Sequence, residues 1–487
     1  MELLDKDLVS IQEVRGLLKK AYEAQKILAT FSQEQIDRIV KAIADAGYAN
    51  AVKLAKMANE ETGFGIWQDK VIKNVFGSKV VYEAIKDEKT IGIISEDSAH
   101  KTMDIAVPMG VVAAVIPSTN PTSTVIYKAM ISLKAGNSIV ISPHPGAKNA
   151  IVETARIITE AAEAAGCPKG AIGVITVPTM QATQELMKSN YTSIILATGG
   201  PAMVKSAYSS GNPAIGVGAG NGPAFIDKSA DVKMAVKRIF DSKTFDNGTI
   251  CASEQSIIVE KCMEEKVVAE LKAQGGYLLD QDQSDKLAKF ILRANGSMNP
   301  AIVGKSVEHI AKLAGIRVPS DARVLIAKES KVGHDAPYSR EKLAPILALF
   351  VEENIDAVLE KSIEILKFEG MGHTFSMHAN DTELVKRFGL RIPASRILIN
   401  TPGALGGVGA TTGLFPALTL GCGAVGGSST SNNIGPMDLI NIKRVAYGTK
   451  ELEELRVGVP GQEGNCCEPS SSVSYTHLRA HETLSDL

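Results

Sequence analysis

Val111-Val112-Ala113-Ala114-Val115-Ile116 is a run of six apolar residues, and it predicts a strand that is buried on both faces. Similar short runs follow at residues 138–141, 172–177 and 193–196. Stretches with helical spacing separate and follow them, at residues 122–133, 147–165, 180–189 and 202–209. Alternation of such strands with helices is typical of a parallel sheet with helices on both sides. Sheets of this kind bind ligands at the carboxyl ends of their strands.

The segment before this sheet has a different pattern. Residues 9–62 predict two long amphipathic helices, with Ser32 as the N-cap of the second. Residues 90–95 and 102–107 are more polar and predict a hairpin that leaves the body of the domain.

The strand and helix pattern restarts after Asp227, with a helix at 232–240, a strand at 255–259 and a helix at 264–273. This restart predicts a second α/β domain that extends to about residue 403. The chain therefore belongs to the α/β class, with two parallel sheets.

Composition excludes several classes of function. The chain has 487 residues, of which 45% are hydrophobic and 22% charged, with a net charge of −2. No basic field is present to bind a nucleic-acid backbone, and no polybasic cluster to bind a membrane surface. The longest apolar run, residues 105–116, is too short to span a bilayer.

The cysteines indicate the compartment. Six are present, without the spacing of a disulfide framework or a metal site, and no charged start leads into an apolar secretory segment. We therefore expect a protein of the reducing cytoplasm, without a metal.

Cys251 is the first candidate for chemistry. It follows Thr244-Phe245-Asp246-Asn247-Gly248-Thr249-Ile250, so a polar Asn-Gly turn presents the thiol. A thiolate is a strong nucleophile and a good leaving group, as a covalent intermediate with an aldehyde or thioester requires. The alternative is a small buried hydrophobic residue, which describes most free cysteines.

Three glycine motifs compete for a nucleotide, of which Gly421-Cys422-Gly423 is too short to indicate more than a tight turn. Residues 216–222 are rich in glycine, but the strand-like 223–227 follows them where a dinucleotide fingerprint needs a helix. In the second motif, a strand ends in Thr198-Gly199-Gly200, and Pro201 suits the first turn of a helix. Backbone N–H groups and a helix N-terminus there would suit a pyrophosphate. An ordinary strand-to-helix turn is the alternative.

Asn120 lies between Thr119 and Pro121, shortly after the strand that ends at Ile116. Its side-chain NH₂ could donate to a developing oxyanion. The alternative is an Asn in a proline-bounded turn, which is common.

Taken together, these segments resemble the aldehyde dehydrogenase superfamily, and within it the acylating, coenzyme A-dependent branch of the acetaldehyde and propionaldehyde dehydrogenase type. The resemblance extends over about residues 9–449. It rests on eight blocks in family order, at residues 116–121, 142–145, 197–200, 216–221, 245–255, 341–345, 372–374 and 419–423.

The resemblance implies roles for individual residues. It makes Cys251 the nucleophile and Asn120, with the backbone N–H of Cys251, the oxyanion hole. Glu341 would hold the ribose on the nicotinamide side of NAD. The other cofactor-binding positions lie at two strand ends, and they are Pro143, His144, Pro145, Thr198, Gly199 and Gly200.

One departure from hydrolytic relatives sets the expected reaction. Those relatives carry a Glu that activates water, and Val217, 34 residues before Cys251, occupies that position here. Without a base, the thioester should await a thiol, which is a better nucleophile than water. His373 is a candidate to help deprotonate that thiol, and a hydrogen-bonded structural histidine is the alternative.

The resemblance thus implies reversible, NAD-dependent conversion of a small aldehyde and coenzyme A to an acyl-CoA. The alternatives are a hydrolytic aldehyde dehydrogenase and an inactive nucleotide-binding scaffold. We expect a homodimer or homotetramer in the cytoplasm. The alternative location is a bacterial microcompartment, where shell or lumen proteins would be its partners.

Four parts of the chain follow from this interpretation. Residues 1–226 would form N-terminal helices and the dinucleotide-binding domain, with the hairpin at 90–107. Residues 227–403 would carry Cys251, and 404–449 would form a return segment with an oligomerisation strand that pairs between subunits. Residues 450–487 would be a flexible tail.

Overall fold

The structure, a computed structural model, describes residues 5–460. The helices in this range are α1 Lys6–Leu28, α2 Gln33–Ala49, α3 Ala51–Thr62, α4 Trp67–Val75, α5 Val81–Ile85, α6 Pro121–Lys134, α7 Lys148–Ala164, α8 Met180–Lys188, α9 Pro201–Tyr208, α10 Val232–Thr244, α11 Glu264–Ala273, α12 Gln281–Ile291, α13 Val307–Ala314, α14 Ile355–Phe368, α15 Thr382–Arg391, α16 Gly403–Gly407 and α17 Leu452–Arg456. Among the described residues, no helix combines the length and the apolar character that crossing a membrane requires.

The strands alternate with these helices through most of the chain. They are β1 Gly92–Asp97, β2 Thr102–Pro108, β3 Val111–Ile116, β4 Ser138–Pro143, β5 Ile172–Val174, β6 Thr192–Thr198, β7 Ala214–Val217, β8 Gly222–Ile226, β9 Glu254–Glu260, β10 Gly276–Leu278, β11 Val324–Lys328, β12 Ile346–Glu352, β13 Gly372–His378, β14 Ala394–Ile399 and β15 Ile440–Ala446. The predicted α/β class is confirmed.

β3 forms the centre of a five-stranded parallel sheet with the order β5-β4-β3-β6-β7. Its bounds match the predicted strand, and all its residues are buried. Successive side chains point to opposite faces. Val111 and Ala113 pack with residues of α1 and α8, whereas Val112 and Ala114 pack with residues of α6 and α7. This two-sided cover explains the continuous apolar run.

The second sheet has seven parallel strands in the order β10-β11-β12-β9-β8-β13-β14. The chain passes from the first sheet to the second between Val217 and Gly222, since β7 pairs with β6 and β8 with β9. This crossing lies slightly before the division expected at residue 226. It places the glycine-rich segment 216–222 between the two sheets.

The N-terminal segment differs from the prediction of two long helices over residues 9–62. Three helices are present, because α2 ends at Ala49 and α3 begins at Ala51. Asn50, with φ −102° and ψ 9°, leaves the helical conformation and separates them. The predicted N-cap is confirmed, since the Ser32 hydroxyl accepts from the Gln35 N–H.

A third, antiparallel sheet has the order β1-β2-β15. The predicted hairpin at 90–107 is confirmed as β1 and β2. β15 pairs with β2 of the same chain, from Ile440 opposite Pro108 to Ala446 opposite Thr102. All of β15 after Ile440 is exposed. Most of the expected tail, residues 461–487, lies outside the described residues.

Candidate active site

The turn before Cys251 has an uncommon backbone. Asp246, Asn247 and Gly248 have φ of 49°, 50° and 79°. Asp, Asn and Gly tolerate this left-handed region better than other residues do. The chain thereby reverses between α10 and β9 and places Cys251, which is partly exposed, on the turn. The sequence interpretation of a thiol presented by a polar turn agrees with this position.

Gly220 brings the glycine-rich segment against Cys251 and His373. A Cβ added at Gly220 would lie 1.9 Å from the carbonyl oxygen of Cys251 and 3.2 Å from Cε1 of His373. Contact with a backbone oxygen at this distance requires glycine. Gly220 therefore forms part of the wall of the thiol site. β8 follows the segment, which agrees with the sequence argument against a dinucleotide fingerprint.

Glu341 is hydrogen-bonded to the same glycine. The Gly220 N–H donates to Oε1 of Glu341 at 2.8 Å. Burial and, to a lesser extent, the neighbouring Glu369 together raise the pKa of this carboxyl to about 8. The structure thus brings Glu341 and Cys251 to the same glycine from positions 90 residues apart in the chain.

The same surroundings hold the Cys251 thiol protonated. Burial of the sulfur, together with the nearby Glu341 and Cys422, raises the pKa of Cys251 to about 12, although Arg396 acts in the opposite direction. Since a thiolate is the nucleophilic form, the reaction needs a proton acceptor or a positive charge near the sulfur.

Sequence reasoning missed Arg396, and it assigned no role to Cys422 although that residue lies in the block at 419–423. Arg396 lies on β14, is buried, and donates from Nη2 to the carbonyl oxygen of Gly421 at 2.6 Å. Its charge lowers the pKa of both Cys251 and Cys422. A lone arginine in a strand carries no motif, so no signal in the sequence could have found it.

Asn120 is the residue before α6 and is held by three groups. Its Nδ2 donates to the Thr249 carbonyl oxygen at 3.1 Å and to Oγ1 of Thr119 at 3.3 Å. Its Oδ1 accepts from Nζ of Lys73 at 2.6 Å. Thr249 is two residues before Cys251, so the amide borders the nucleophile's turn.

A buried charged cluster stands behind Asn120, and sequence reasoning missed it as well. Lys70 and Lys73 of α4 both donate to Oδ2 of Asp246, at 2.9 and 2.5 Å. Asp69 of the same helix accepts from the Asp246 N–H at 2.7 Å. α4 thus fixes the turn that carries Cys251. The only signal in the sequence was the spacing of these three charged residues on an amphipathic helix. The same spacing is equally typical of a helix face that is exposed to solvent.

His373 is fully buried at the start of β13. Its Nδ1 shares a hydrogen bond of 2.8 Å with Oγ1 of Thr374. Within the described residues its Nε2 has no partner. Burial, with help from Arg396, lowers the pKa of His373 to about 3, so the ring is neutral at physiological pH. A neutral ring can accept a proton in a hydrogen bond.

The expected cofactor residues meet at one edge of the first sheet. β3 pairs with both β4 and β6 in parallel, so their carboxyl ends lie together. The His144 N–H donates to the Ile116 carbonyl oxygen at 3.1 Å and joins two of these ends. Pro143 ends β4, while His144 and Pro145 beyond it are exposed.

The end of β6 suits a phosphate group. β6 ends at Thr198, and α9 begins directly after Gly200. A Cβ at Gly200 would meet nothing within 4 Å, so the approach to the backbone is open. Within the described residues, Oγ1 of Thr198 is buried without a partner. Free N–H groups at a helix start and an unsatisfied hydroxyl fit a dinucleotide.

Val217 is the last residue of β7, opposite Thr198 in the register, and it is 3% exposed. Its side chain offers no proton acceptor. The family model for "Aldehyde dehydrogenase family" matches residues 7–404. The chain belongs to the aldehyde dehydrogenase family.

Individual family members agree with this assignment over most of the chain. The bifunctional aldehyde-alcohol dehydrogenase of Escherichia coli K12 is 46% identical over 448 residues, which are 91% of this chain and 50% of that protein. The chain therefore spans about half the length of this relative.

Two crystal structures of aldehyde dehydrogenases resemble the fold closely. A probable aldehyde dehydrogenase from Listeria monocytogenes EGD-e has a TM-score of 0.92 and 67% identity, covering 93% of this chain and 100% of that one. An acetylating aldehyde dehydrogenase from Geobacillus thermoglucosidasius has a TM-score of 0.91 and 52% identity, covering 92% and 99%.

Proposed function

We propose that this aldehyde dehydrogenase oxidises a small aldehyde with NAD and transfers the acyl group to coenzyme A, in a reversible reaction. The single observation that carries the acylating reaction is Val217, an apolar residue at the position where the hydrolytic enzymes carry a base. The acetylating activity named for the Geobacillus structure supports the proposal.

The bond changes balance as follows, with one proton, that of the Cys251 thiol, released to solvent. Sγ of Cys251 attacks the aldehyde carbon and the thiol proton leaves, which gives a thiohemiacetal. Asn120 Nδ2 and the Cys251 N–H donate to the oxygen that becomes negative. Loss of hydride from carbon then leaves a thioester. The thiol of coenzyme A attacks this thioester, the bond to Cys251 breaks, and the proton of the attacking thiol passes to the Cys251 sulfur.

NAD, when bound, accepts the hydride. Thr198, Gly199 and Gly200 would hold its phosphates, and Pro143, His144 and Pro145 would border its adenosine. Glu341 would hold the ribose near the nicotinamide. Oε1 of Glu341 accepts from the Gly220 N–H, and the carboxyl has further acceptor sites for a ribose hydroxyl.

His373 has a narrower role in this proposal. Its neutral ring and unpartnered Nε2 suit a hydrogen bond from the incoming thiol. A pKa of about 3 makes it a weak base, so it orients the thiol more than it removes the proton.

Product analysis tests the acylating reaction. The enzyme is given acetaldehyde and NAD⁺, with and without coenzyme A, and acetate, acetyl-CoA and NADH are measured. We expect one acetyl-CoA per NADH with coenzyme A, and without it an acyl adduct on Cys251 in the intact mass. Acetate formed as fast without coenzyme A as acetyl-CoA with it would show a hydrolytic enzyme, and absence of NADH an inactive scaffold.

The assembly and location extend the proposal. The exposed edge strands β1 and β15 suit pairing with a second copy of the chain, which gives a homodimer or homotetramer. We place the protein in the cytoplasm, with a microcompartment as the alternative. Light scattering, which gives the mass of the assembly, tests the oligomeric state. A fusion of residues 455–487 to a fluorescent protein tests the location. Punctate fluorescence in cells that make microcompartment shells would contradict a cytoplasmic location.

A further inference from the structure

Lys73 occupies an unusual position for a lysine. It is 4% exposed, and its Nζ has three oxygen partners. These are Oδ2 of Asp246 at 2.5 Å, Oγ1 of Thr249 at 3.0 Å and Oδ1 of Asn120 at 2.6 Å. Three acceptors satisfy the three donors of an ammonium group. The cation therefore has a fixed place between the nucleophile's turn and the Asn120 amide.

The contact to Asn120 determines which way the amide faces. An ammonium group only donates, so the amide atom beside Nζ must be the oxygen. The NH₂ then faces the opposite side, where one proton reaches the Thr249 carbonyl oxygen at 3.1 Å. The other proton has only the long bond of 3.3 Å to Thr119. It is the proton available to a substrate oxygen.

We propose that Lys73 is a positioning residue that orients and polarises the Asn120 amide for donation to the substrate oxyanion. This inference rests on the proposed function, because it assigns a task to Asn120 in that reaction. A positive charge at the amide oxygen draws electron density from the nitrogen and strengthens its N–H as a donor. The orientation is fixed before substrate binds, so no reorganisation is needed as the negative charge develops.

The neighbouring Lys70 provides a matched comparison. It lies on the same helix, is 3% exposed, and donates to the same Oδ2 of Asp246 at 2.9 Å. Its second bond, of 3.3 Å, goes to the Thr119 carbonyl oxygen and not to the Asn120 side chain. Loss of either lysine removes one positive partner from Asp246. Only loss of Lys73 removes the partner of the Asn120 amide oxygen, and it also removes a bond to Oγ1 of Thr249.

The test compares Lys73→Met and Lys70→Met in the full chain, with acetaldehyde and NAD⁺. Single-turnover NADH formation gives the acylation rate, steady-state assays give KM, and thermal melts give stability. We expect Lys73→Met to lose roughly 10²-fold in acylation rate with little change in KM, the scale of a misplaced catalytic group. Lys70→Met should lose about threefold or less in acylation rate. Its melting temperature should fall by about as much as that of Lys73→Met.

A double-mutant cycle separates positioning from general damage. Since Lys73 is proposed to act through Asn120, Lys73→Met should add almost nothing in an Asn120→Ala background. Lys73→Arg, which retains the charge and N–H donors, should recover more of the rate than Lys73→Met. If Lys73→Met does not fold, Lys73→Gln replaces it in the same cycle.

Equal losses in the two lysine variants, or a full loss that persists in the Asn120→Ala background, would overturn the role of Lys73. Wild-type enzyme that makes no acetyl-CoA would instead overturn the proposed function itself. The two failures are therefore distinguishable.

Discussion

The Gly220 N–H donates to Oε1 of Glu341 at 2.8 Å, and Gly220 also packs against the Cys251 carbonyl oxygen. One glycine therefore joins the nucleophile to the carboxyl expected to hold the nicotinamide ribose. Binding of NAD and the state of the thiol should be linked through this glycine.

Glu341→Gln tests that link. Gln can still accept from the Gly220 N–H, but it carries no charge. Since the ionised Glu341 raises the pKa of Cys251, and the pKa of Glu341 itself is about 8, the substitution should lower the Cys251 pKa and accelerate alkylation by iodoacetamide above about pH 8, with little change below it. The pH dependence of the alkylation rate measures this effect. An unchanged profile would contradict the electrostatic contact, and a weaker affinity for NAD⁺ would support the ribose role.

Gly220→Ala should damage both activity and stability. Its Cβ would lie 1.9 Å from a backbone oxygen, so the chain must shift, at about 1–3 kcal/mol of unfolding free energy. Gly218→Ala is the matched control, because a Cβ there meets nothing within 4 Å. The measurements are the melting temperature and the turnover of both variants. Equal losses in Gly220→Ala and Gly218→Ala would count against the close contact of Gly220 with the Cys251 carbonyl oxygen.

Cys251→Ala should abolish NADH formation while NAD⁺ still binds, because only the covalent step is lost. Cys167→Ala, at a buried thiol ahead of β5, should retain turnover. Turnover and NAD⁺ titration by fluorescence measure the two properties. Residual turnover in Cys251→Ala would refute the whole assignment.

Asn120→Ala should lose about 10²–10³ in turnover, the usual effect of removing one oxyanion donor. The variant should fold with some loss of stability, because Lys73 loses one acceptor but keeps Asp246 and Thr249, and Asn120 makes no capping hydrogen bond to α6. Turnover and thermal melts are the measurements. A loss below about tenfold would mean that Asn120 serves only the turn.

Val217→Glu should introduce slow hydrolysis by placing a carboxylate near the thioester. A general base contributes about 10²–10⁴ in rate, so a poorly aimed one should still be detectable. Burial will raise the pKa of the new carboxyl, so hydrolysis should increase with pH. Acetate per NADH without coenzyme A is the measurement. Val217→Gln, similar in size but without a base, is the control, and equal hydrolysis in both variants would exclude base catalysis.

Some of the site could be predicted because its residues lie in local patterns. The strand Val111–Ile116, the end of β6 before Gly199 and the turn before Cys251 each depend on a few consecutive residues. Apolar periodicity and turn residues report local burial and backbone conformation directly. The cofactor edge follows from them, since parallel strands bring their carboxyl ends together.

The sequence by itself therefore determined the α/β class, the alternation of strands and helices, and the candidates Cys251, Asn120 and Thr198 to Gly200. The tertiary structure alone decided that Lys73 faces Asn120, that Gly220 meets Glu341, and that Arg396 acts on Cys251. These contacts join residues 47, 121 and 145 positions apart. Such contacts depend on how separate sheets and helices pack, and a lysine on an amphipathic helix has the same local pattern whether it faces water or a buried amide.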